Sequence, residues 1–368
     1  MTNSVDPAPV SSATGPGENP ASPDAVLSDP VQPNPVLPNP MQPDAVVIDA
    51  VVIGRNEGQR LRIALASLRA GGGRVRRVIY VDSGSTDGSQ ALAAAMGAEV
   101  VALDLTRPFT AARARNAGLA ALAADPPDFV QLMDGDCELD PGWIAAALQG
   151  FAAHSGAVVI CGRRRERYPA ASVYNRLCDR EWNTPVGEAL ACGGDALMRW
   201  QALQAVGFYR EDLIAGEEPE LCQRLRRKGG QIWRIDAEMT LHDAAMTRFP
   251  QWWRRTKRAG YAFAEGAALH GAGPDRHWRR EARRALIWGA GLPLSVVALA
   301  LIHPAFLLLA LAWPLQVARL AWRLRHEGRA GREAAFFTVL GKFPEAIGAI
   351  GFYLDRLRGR KRGLIEYK

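Results

Sequence analysis

Near the middle of the chain, Leu132-Met133-Asp134-Gly135-Asp136 sets two aspartates one residue apart at the end of a short apolar run, 129–133. In extended backbone, residues i and i+2 project to the same side. Both carboxylates then face one point at the carboxyl end of a strand. Gly135 lets the backbone bend and keeps the gap open. Such a pair suits a hard divalent cation, Mg²⁺ or Mn²⁺, with phosphate oxygens completing its shell. Asp-Gly-Asp also makes ordinary turns, so the elements around it decide its meaning.

Those elements alternate. Residues 46–53 form a nearly continuous β-branched run, as a buried parallel strand does. A helical pattern over 60–69 is stopped by Gly71-Gly72-Gly73. A second strand, 78–81, ends at Asp82. A short helix over 89–96 is closed by Gly97. Residues 99–103 read as a third strand, 110–124 as an alanine-rich helix, and 129–133 as the fourth strand. Alternating strands and helices with short connections predict right-handed crossovers and a mixed, mostly parallel sheet covered on both faces. Ligands of such sheets sit at the carboxyl ends of strands, where Asp82 and Asp134 both lie.

Composition narrows the class. The chain has 368 residues, 48% of them apolar, and a net charge of +7, enough for one large core or two domains. Its arginines crowd the last third beside the most apolar segments. They do not form a continuous basic face with stacking aromatics, which argues against nucleic acid and for a membrane. The five cysteines are scattered without a CxxC pair, so no disulfide or zinc framework is expected, in keeping with a reducing compartment. Residues 1–45 are rich in Pro, Ser, Asn and Asp, lack the apolar h-region of a signal peptide, and read as a disordered tail.

Six motifs now stand in order: VVIGRNEGQRL (51–61), VDSGSTDGS (81–89), RARNAGL (113–119), LMDGDCELD (132–140), GGDALMRW (193–200) and GEEPELCQRLRRKGG (216–230). Together they resemble the family 2 glycosyltransferases of the GT-A fold, over roughly residues 46–265. The resemblance implies a nucleotide pocket built from Asp82 on the base, Arg55 to Glu57 beside it, and Arg113 and Asn116 on the helix before the aspartate pair. It implies that Asp134 faces the ribose or the metal and that Asp136 ligates the metal. Gly194 and Asp195 fall where similar enzymes hold the transferred sugar, before what reads as a helical run. Glu218, with Glu217 as its rival, takes the place of the general base on the acceptor hydroxyl, which implies inversion. The family usually has Glu-Asp there, so the longer side chain leaves the choice within the pair open. His242 matches the third metal ligand of a number of such enzymes. The run Gln251-Trp252-Trp253-Arg254-Arg255 departs from the QxxRW motif of processive relatives, since Arg255 stands where the Trp should be. Its tryptophans suit membrane-interface anchors equally well.

The last third carries two uncharged runs, 285–302 and 304–318, broken at His303-Pro304. At ~1.5 Å per residue the first spans about 27 Å, close to a hydrocarbon core of ~30 Å. Arg279, Arg280, Arg283 and Arg284 precede the pair, and Arg319, Arg323 and Arg325 follow it. Positive-inside bias then puts both ends, and the catalytic domain, on the cytoplasmic side. The shorter second run leaves spanning and re-entry both open, and a hairpin buried in a soluble protein is the alternative. Residues 336–354 read as an interfacial amphipathic helix, followed by a basic run at 356–362.

The sequence thus predicts three regions: a tail (1–45), a GT-A domain (46–275) and a membrane-associated helical region (276–368). The expected enzyme is a Mg²⁺- or Mn²⁺-dependent glycosyltransferase at the cell inner membrane. It would use a nucleoside-diphosphate sugar, a UDP-sugar by preference, and a lipid-linked or saccharide acceptor. A nucleotidyltransferase would need a glycine-rich GxGxRL-type loop after the first strand, which Ile53-Gly54-Arg55-Asn56-Glu57 does not supply. A degenerate, non-catalytic scaffold would have lost Asp136 or the acid pair Glu217/Glu218, and all are present.

Overall fold

A computed structural model describes residues 46–70 and 74–359, all within one compact unit. The tail (1–45), the Gly71–Gly73 stop and residues 360–362 of the basic run lie outside the described residues.

The chain alternates as its pattern predicts: β1 (Ile48–Gly54), α1 (Gln59–Ala70), β2 (Val75–Asp82), α2 (Ser89–Ala95), β3 (Glu99–Ala102), α3 (Ala111–Leu122) and β4 (Phe129–Asp134). Six of the seven β1 residues are buried, because helices cover both faces. Thr110 caps α3 by accepting from the Arg113 N–H. Then follow β5 (Cys137–Leu139), α4 (Trp143–Ala153), β6 (Ala157–Glu166), α5 (Val173–Trp182), β7 (Gly187–Ala189), β8 (Ala196–Arg199), α6 (Trp200–Ala205), α7 (Glu217–Arg227), β9 (Gln231–His242) and α8 (Phe249–His270). The sheet order is β3-β2-β1-β4-β8-β6-β9-β5, with β7 beside β9.

Strands β3, β2, β1 and β4 are parallel. Strand β8 enters antiparallel between β4 and β6, and the sheet is mixed beyond it. The run after Gly194-Asp195, expected as helix, is therefore strand first and helix only from Trp200. Its Ala-Leu-Met segment has good helix propensity, but it fills the gap between two buried strands, and burial overrides propensity. β1 hydrogen-bonds to β2 on one side and β4 on the other. The strand order reverses there, and a crevice opens at the carboxyl ends. Asp134 pairs across that crevice with Ile53, and the Gly135 N–H donates to the Ile53 carbonyl at 2.8 Å.

The C-terminal region comprises α9 (Arg279–Leu286), a π-turn at Ile287–Gly291, α10 (Leu292–Ala300), a 3₁₀ segment at Pro304–Leu311, α11 (Ala312–Arg323), α12 (Gly328–Leu340) and α13 (Lys342–Leu357). Three continuous helical stretches, Arg279–Ala300, Pro304–Arg323 and Arg325–Leu357, are long and apolar enough to cross a membrane. The first two fold back at His303-Pro304, and the Trp313 indole N–H reaches the Trp288 carbonyl across the hairpin at 3.2 Å. The hairpin is not a buried element. Leu294, Leu301, Ile302, Leu308 and Leu315 are all exposed, and none of the apolar window in Pro304–Arg323 is buried.

The segment 336–354 departs from the single amphipathic helix expected. It divides at Gly341, and α13 packs along α8 through Tyr261, Ala264, Ala349 and Phe352. A Cβ at Gly260 or Gly348 would collide with backbone of the opposite helix, at Glu345 and Lys257 respectively. Trp252 is likewise no interface anchor. It is buried against Tyr174, Phe249 and Phe337 in the seam between α5, α8 and α12.

Candidate active site

The aspartate pair straddles the turn from β4 to β5. Asp134 is the last residue of β4 and Cys137 the first of β5. Strand β9 runs antiparallel to β5, which places His242 opposite Cys137. Two distant segments thereby meet: His242 Nε2 lies 3.3 Å from Asp136 Oδ1. Asp134, Asp136, Cys137 and His242 each bring one donor atom within 4.8 Å of the others.

The donor set fits Mg²⁺ or Mn²⁺. Two carboxylates and an imidazole are hard or intermediate donors suited to such ions. Cys137 is the misfit: burial pushes its thiol well above the ordinary value, so it stays protonated. On the far side of His242, Nδ1 is buried with no hydrogen-bond partner among the described residues. It faces Glu166 Oε2 at 3.9 Å, and the Trp182 ring stands edge-on at 4.6 Å between centroids. A carboxylate behind a ligating histidine is the usual means of fixing its tautomer.

Two arginines, Arg115 buried and Arg164 partly buried, organise the carboxylates. Arg115 on α3 reaches Asp134 Oδ1 at 2.8 Å, Glu217 Oε1 at 3.1 Å and Glu218 Oε1 at 2.9 Å. Arg164 on β6 reaches Asp134 Oδ2 at 3.1 Å and Asp195 Oδ2 at 3.3 Å, and lies over the Trp182 ring. Burial alone would raise the Asp134 carboxyl, but Arg115 first and Arg164 second hold it below its ordinary value. Glu218 goes the other way. Burial and then the neighbouring Glu217 charge push it up to about 7 despite Arg115. Five carboxylates (Asp134, Asp136, Asp195, Glu217 and Glu218) thus share two guanidiniums, an imbalance that a divalent cation and a proton would relieve.

The other expected residues scatter more widely. Asp195 is wholly buried. Its Oδ1 accepts from the Asp134 N–H at 3.1 Å and its Oδ2 from the Thr240 hydroxyl at 2.8 Å. It braces Asp134 from behind and does not line open space, which departs from its expected contact with sugar hydroxyls. Gly194 packs on the site itself: a Cβ there would collide with Arg115 and crowd the Asp134 carboxylate. Glu57 sits over the same turn, its Cγ within 3.3 Å of where a Gly135 Cβ would lie, and it pairs with Arg60 at 2.8 Å. The Arg55 guanidinium lies 4.9 Å from the centroid of the Phe109 ring.

Asp82, Arg113 and Asn116 are each committed to backbone. Asp82 is fully buried and accepts from the Gly84 and Ser85 N–H groups, Gln90 and Tyr80. Burial raises its carboxyl, but these bonds outweigh burial and hold it below the ordinary value. It fixes the loop after β2. Arg113 points away from the aspartates and donates to the carbonyls of Asp104, Arg107 and Pro108. Asn116 bridges both backbone groups of Tyr209. The face of α3 that meets the site belongs to Arg115.

Residues 49–191 match the family model described as glycosyl transferase family 2. That stretch holds β1, the Asp82 loop, the aspartate turn and Arg164.

The chain carries a family 2 glycosyltransferase fold.

Two curated relatives share modest identity with the chain. The succinoglycan biosynthesis protein ExoA of Rhizobium meliloti is 26% identical over 53% of this chain and 61% of its own length. The pre-mycofactocin glycosyltransferase of Mycobacterium tuberculosis is 28% identical over 60% of this chain and 47% of its own length. The chain thus spans between about half and three-fifths of the curated relatives it matches. Among solved structures, the mannosyltransferase PcManGT of Pyrobaculum calidifontis, in complex with GDP-Man and Mn²⁺, superposes with a TM-score of 0.58. It covers 84% of this chain and 88% of its own, at 19% identity. At that identity the likeness is one of fold.

The candidate site contains residues that the motifs did not disclose. Arg115 lies inside RARNAGL but one helical face away from Arg113. Arg164 lies in Arg163-Arg164-Arg165, which reads as a solvated basic run. The signal was that the run continues the apolar strand Val158-Val159-Ile160-Cys161 without a turn. Glu166 and Thr240 become visible only once β6 and β9 pair.

Proposed function

We propose that the chain transfers a sugar from a nucleoside-diphosphate sugar to an acceptor hydroxyl at a membrane surface. The observation that carries this reading is the meeting of Asp136 and His242 at 3.3 Å. It occurs at the strand-order reversal, one arginine away from Glu218.

In this reading, Asp136 and His242, with Asp134 beside them, would hold Mg²⁺ or Mn²⁺, which when bound would supply positive charge to offset that of the departing nucleoside diphosphate. Arg115 keeps Asp134 and Glu218 in fixed register and supplies positive charge at the centre of the site. Glu218 is the better base of the acid pair. Its side chain is 15% exposed against 6% for Glu217, and its raised value, about 7, suits proton abstraction near neutrality. Its carboxylate takes the acceptor's hydroxyl proton as the oxygen bonds to the sugar C1. The bond from C1 to the phosphate oxygen breaks on the opposite side, which gives inversion.

Arg55 and Glu57, at the end of β1, and the Asp82 loop form the wall for the nucleotide. Arg113 and Asn116 shape that wall through backbone, and Asp195 with Gly194 supports the floor. The exposed apolar hairpin inserts in the inner membrane, with the site on the cytoplasmic side where nucleotide-sugars are made. Residues 46–275 form the catalytic region and 276–368 the membrane region.

The test is release of nucleoside diphosphate by the full chain in detergent. A panel of UDP-, GDP- and dTDP-sugars is presented with Mn²⁺ or with excess chelator. Release from one donor, abolished by chelator and by Asp136→Asn, is expected. Absence of release across the panel, or undiminished release in chelator, overturns the reading.

A further inference from the structure

Each aspartate of the metal turn has a partner that leans on one indole. Asp134 pairs with Arg164 at 3.1 Å, and the Arg164 guanidinium lies over the Trp182 ring, 4.9 Å from its centroid. Asp136 meets His242 at 3.3 Å, and the imidazole stands edge-on to the Trp182 ring, 4.6 Å between centroids and 78° between planes. Both contacts are attractive: a cation over a π face, and an edge-to-face ring pair. The second matters most for His242. Its Nδ1 has no hydrogen-bond partner among the described residues, and Glu166 Oε2 faces it only at 3.9 Å. Packing against the indole therefore sets the tilt of the imidazole.

Trp182 is partly buried and is the last residue of α5, so its place is set by where that helix is fastened. Towards the sheet, Asp179 pairs with Arg163 at 2.9 Å and the Asn175 amide donates to Glu166 at 3.0 Å. Towards α8, Glu181 accepts two bonds of 2.8 Å from Arg255. Towards the C-terminal region, Arg176 donates two bonds of 2.9 Å to Glu333 of α12. Arg180 does the same to Glu327, just before α12, at 2.9 and 3.1 Å. The Tyr174 ring meets Phe337 edge-on, 5.7 Å between centroids. Glu327, Glu333 and Phe337 all lie in Arg325–Leu357, one of the stretches long and apolar enough to cross a membrane. One helix thus carries the indole at its end and the C-terminal region along its side.

We propose that Trp182 is a positioning residue for the metal site, and that the ion pairs between α5 and α12 hold it in place. The indole orients the His242 imidazole and the Arg164 guanidinium; Glu327 and Glu333 orient the helix that bears the indole. Metal affinity then depends on the C-terminal region being docked on α5. This deepens the transferase reading and rests on its metal assignment.

Mn²⁺ binding to the full chain in detergent is measured by electron paramagnetic resonance. The nitrogen coupling of the ligating imidazole is read by electron spin-echo modulation, and thermal unfolding is recorded alongside. Trp182→Leu is expected to weaken binding by about tenfold and to diminish the nitrogen coupling. Trp182→Phe, which restores an aromatic ring, should keep most of both. Arg176→Glu with Arg180→Glu sets like charges across the seam and should weaken binding by about threefold, the scale of a partly exposed ion pair. Adding Glu327→Arg and Glu333→Arg exchanges the charges and should recover it. If a variant does not fold, Trp182→Met, or Glu327→Gln with Glu333→Gln, is read for the same loss. Parent affinity and coupling in folded Trp182→Leu, or an equal loss in Trp182→Phe, overturns the role of the indole. Parent affinity in the folded charge variant, or no recovery on charge exchange, overturns the link to α12. Failure of the unaltered chain to bind Mn²⁺ is a separate outcome: it sinks the metal assignment itself, and this inference with it.

Discussion

One guanidinium joins the two halves of the site: Arg115 donates to Asp134 at 2.8 Å and to Glu218 at 2.9 Å. The metal turn on β4 and the acid pair on α7 are 84 residues apart and are held in register by that side chain. Arg115→Ala would leave Glu217 and Glu218 without the guanidinium they share, and Asp134 with Arg164 alone. Breaking a buried ion pair in this way costs about 3–5 kcal/mol. The denaturation midpoint should fall accordingly, and an unchanged midpoint would show that the network rearranges around the loss.

Glu218→Gln keeps the shape but cannot take a proton, so turnover should fall by about 10²–10⁴-fold while donor affinity holds. Steady-state kinetics on Glu217→Gln provide the control. A larger loss in that variant would transfer the base role to Glu217.

The pH profile follows from the same carboxyl, raised to about 7 by burial and by Glu217. A base acts when ionised, so kcat/KM should climb by about tenfold per pH unit below that value and level off above it. Stability should move the opposite way. The folded state keeps a proton that an unfolded glutamate releases near 4.3, so this contribution to stability declines as pH rises from about 4.3 to about 7. A flat rate profile through neutrality in the unaltered chain would contradict both.

Mn²⁺ affinity, read by electron paramagnetic resonance, should drop by about 10–100-fold in His242→Gln. Glu166→Gln should produce a smaller loss, since it only orients the imidazole. Equal affinities in all three proteins would remove His242 from the ligand set.

The hairpin can be tested without touching the core. Leu308 is 67% exposed, so Leu308→Arg disturbs no packing. In a bilayer a central arginine costs about 2.5–3.5 kcal/mol on insertion scales. The variant should leave the membrane fraction more readily than the parent while its thermal unfolding in detergent is unchanged. Retention identical to the parent would mean that Leu308 does not lie in the bilayer.

The half of the fold that holds β1 to β4 was legible because its buried strands are short apolar runs, β-branched in β1 and β2, and a helical pattern separates each from the next. Strands β5 and β8 were not. At three and four residues they carry no periodicity, and only their neighbours define them. The site divides in the same way. Asp134 and His242 end β4 and β9, Asp136 lies in the turn after β4 and the acid pair opens α7, so element ends position all of them. Arg113 and Arg115 could not be ranked from sequence. Two residues on a helix differ by about 200° in direction, and which side meets the sheet is set by tertiary packing. Asp195 shows the limit of reading chemistry from residue type. A carboxylate beside two glycines suggests a ligand contact, yet full burial makes it a brace.

The glycines of α8 and α13 have a consequence for scale. Where Gly260 and Gly348 bring two helices into backbone contact, the helix that extends from the hairpin region is set directly against the helix that follows His242. On the proposed membrane reading, the cleft would be mounted at a set height above the bilayer, with the protein serving as a ruler. In that reading an acceptor would have to present its hydroxyl at that height, so its reach would be a selection criterion independent of its chemistry.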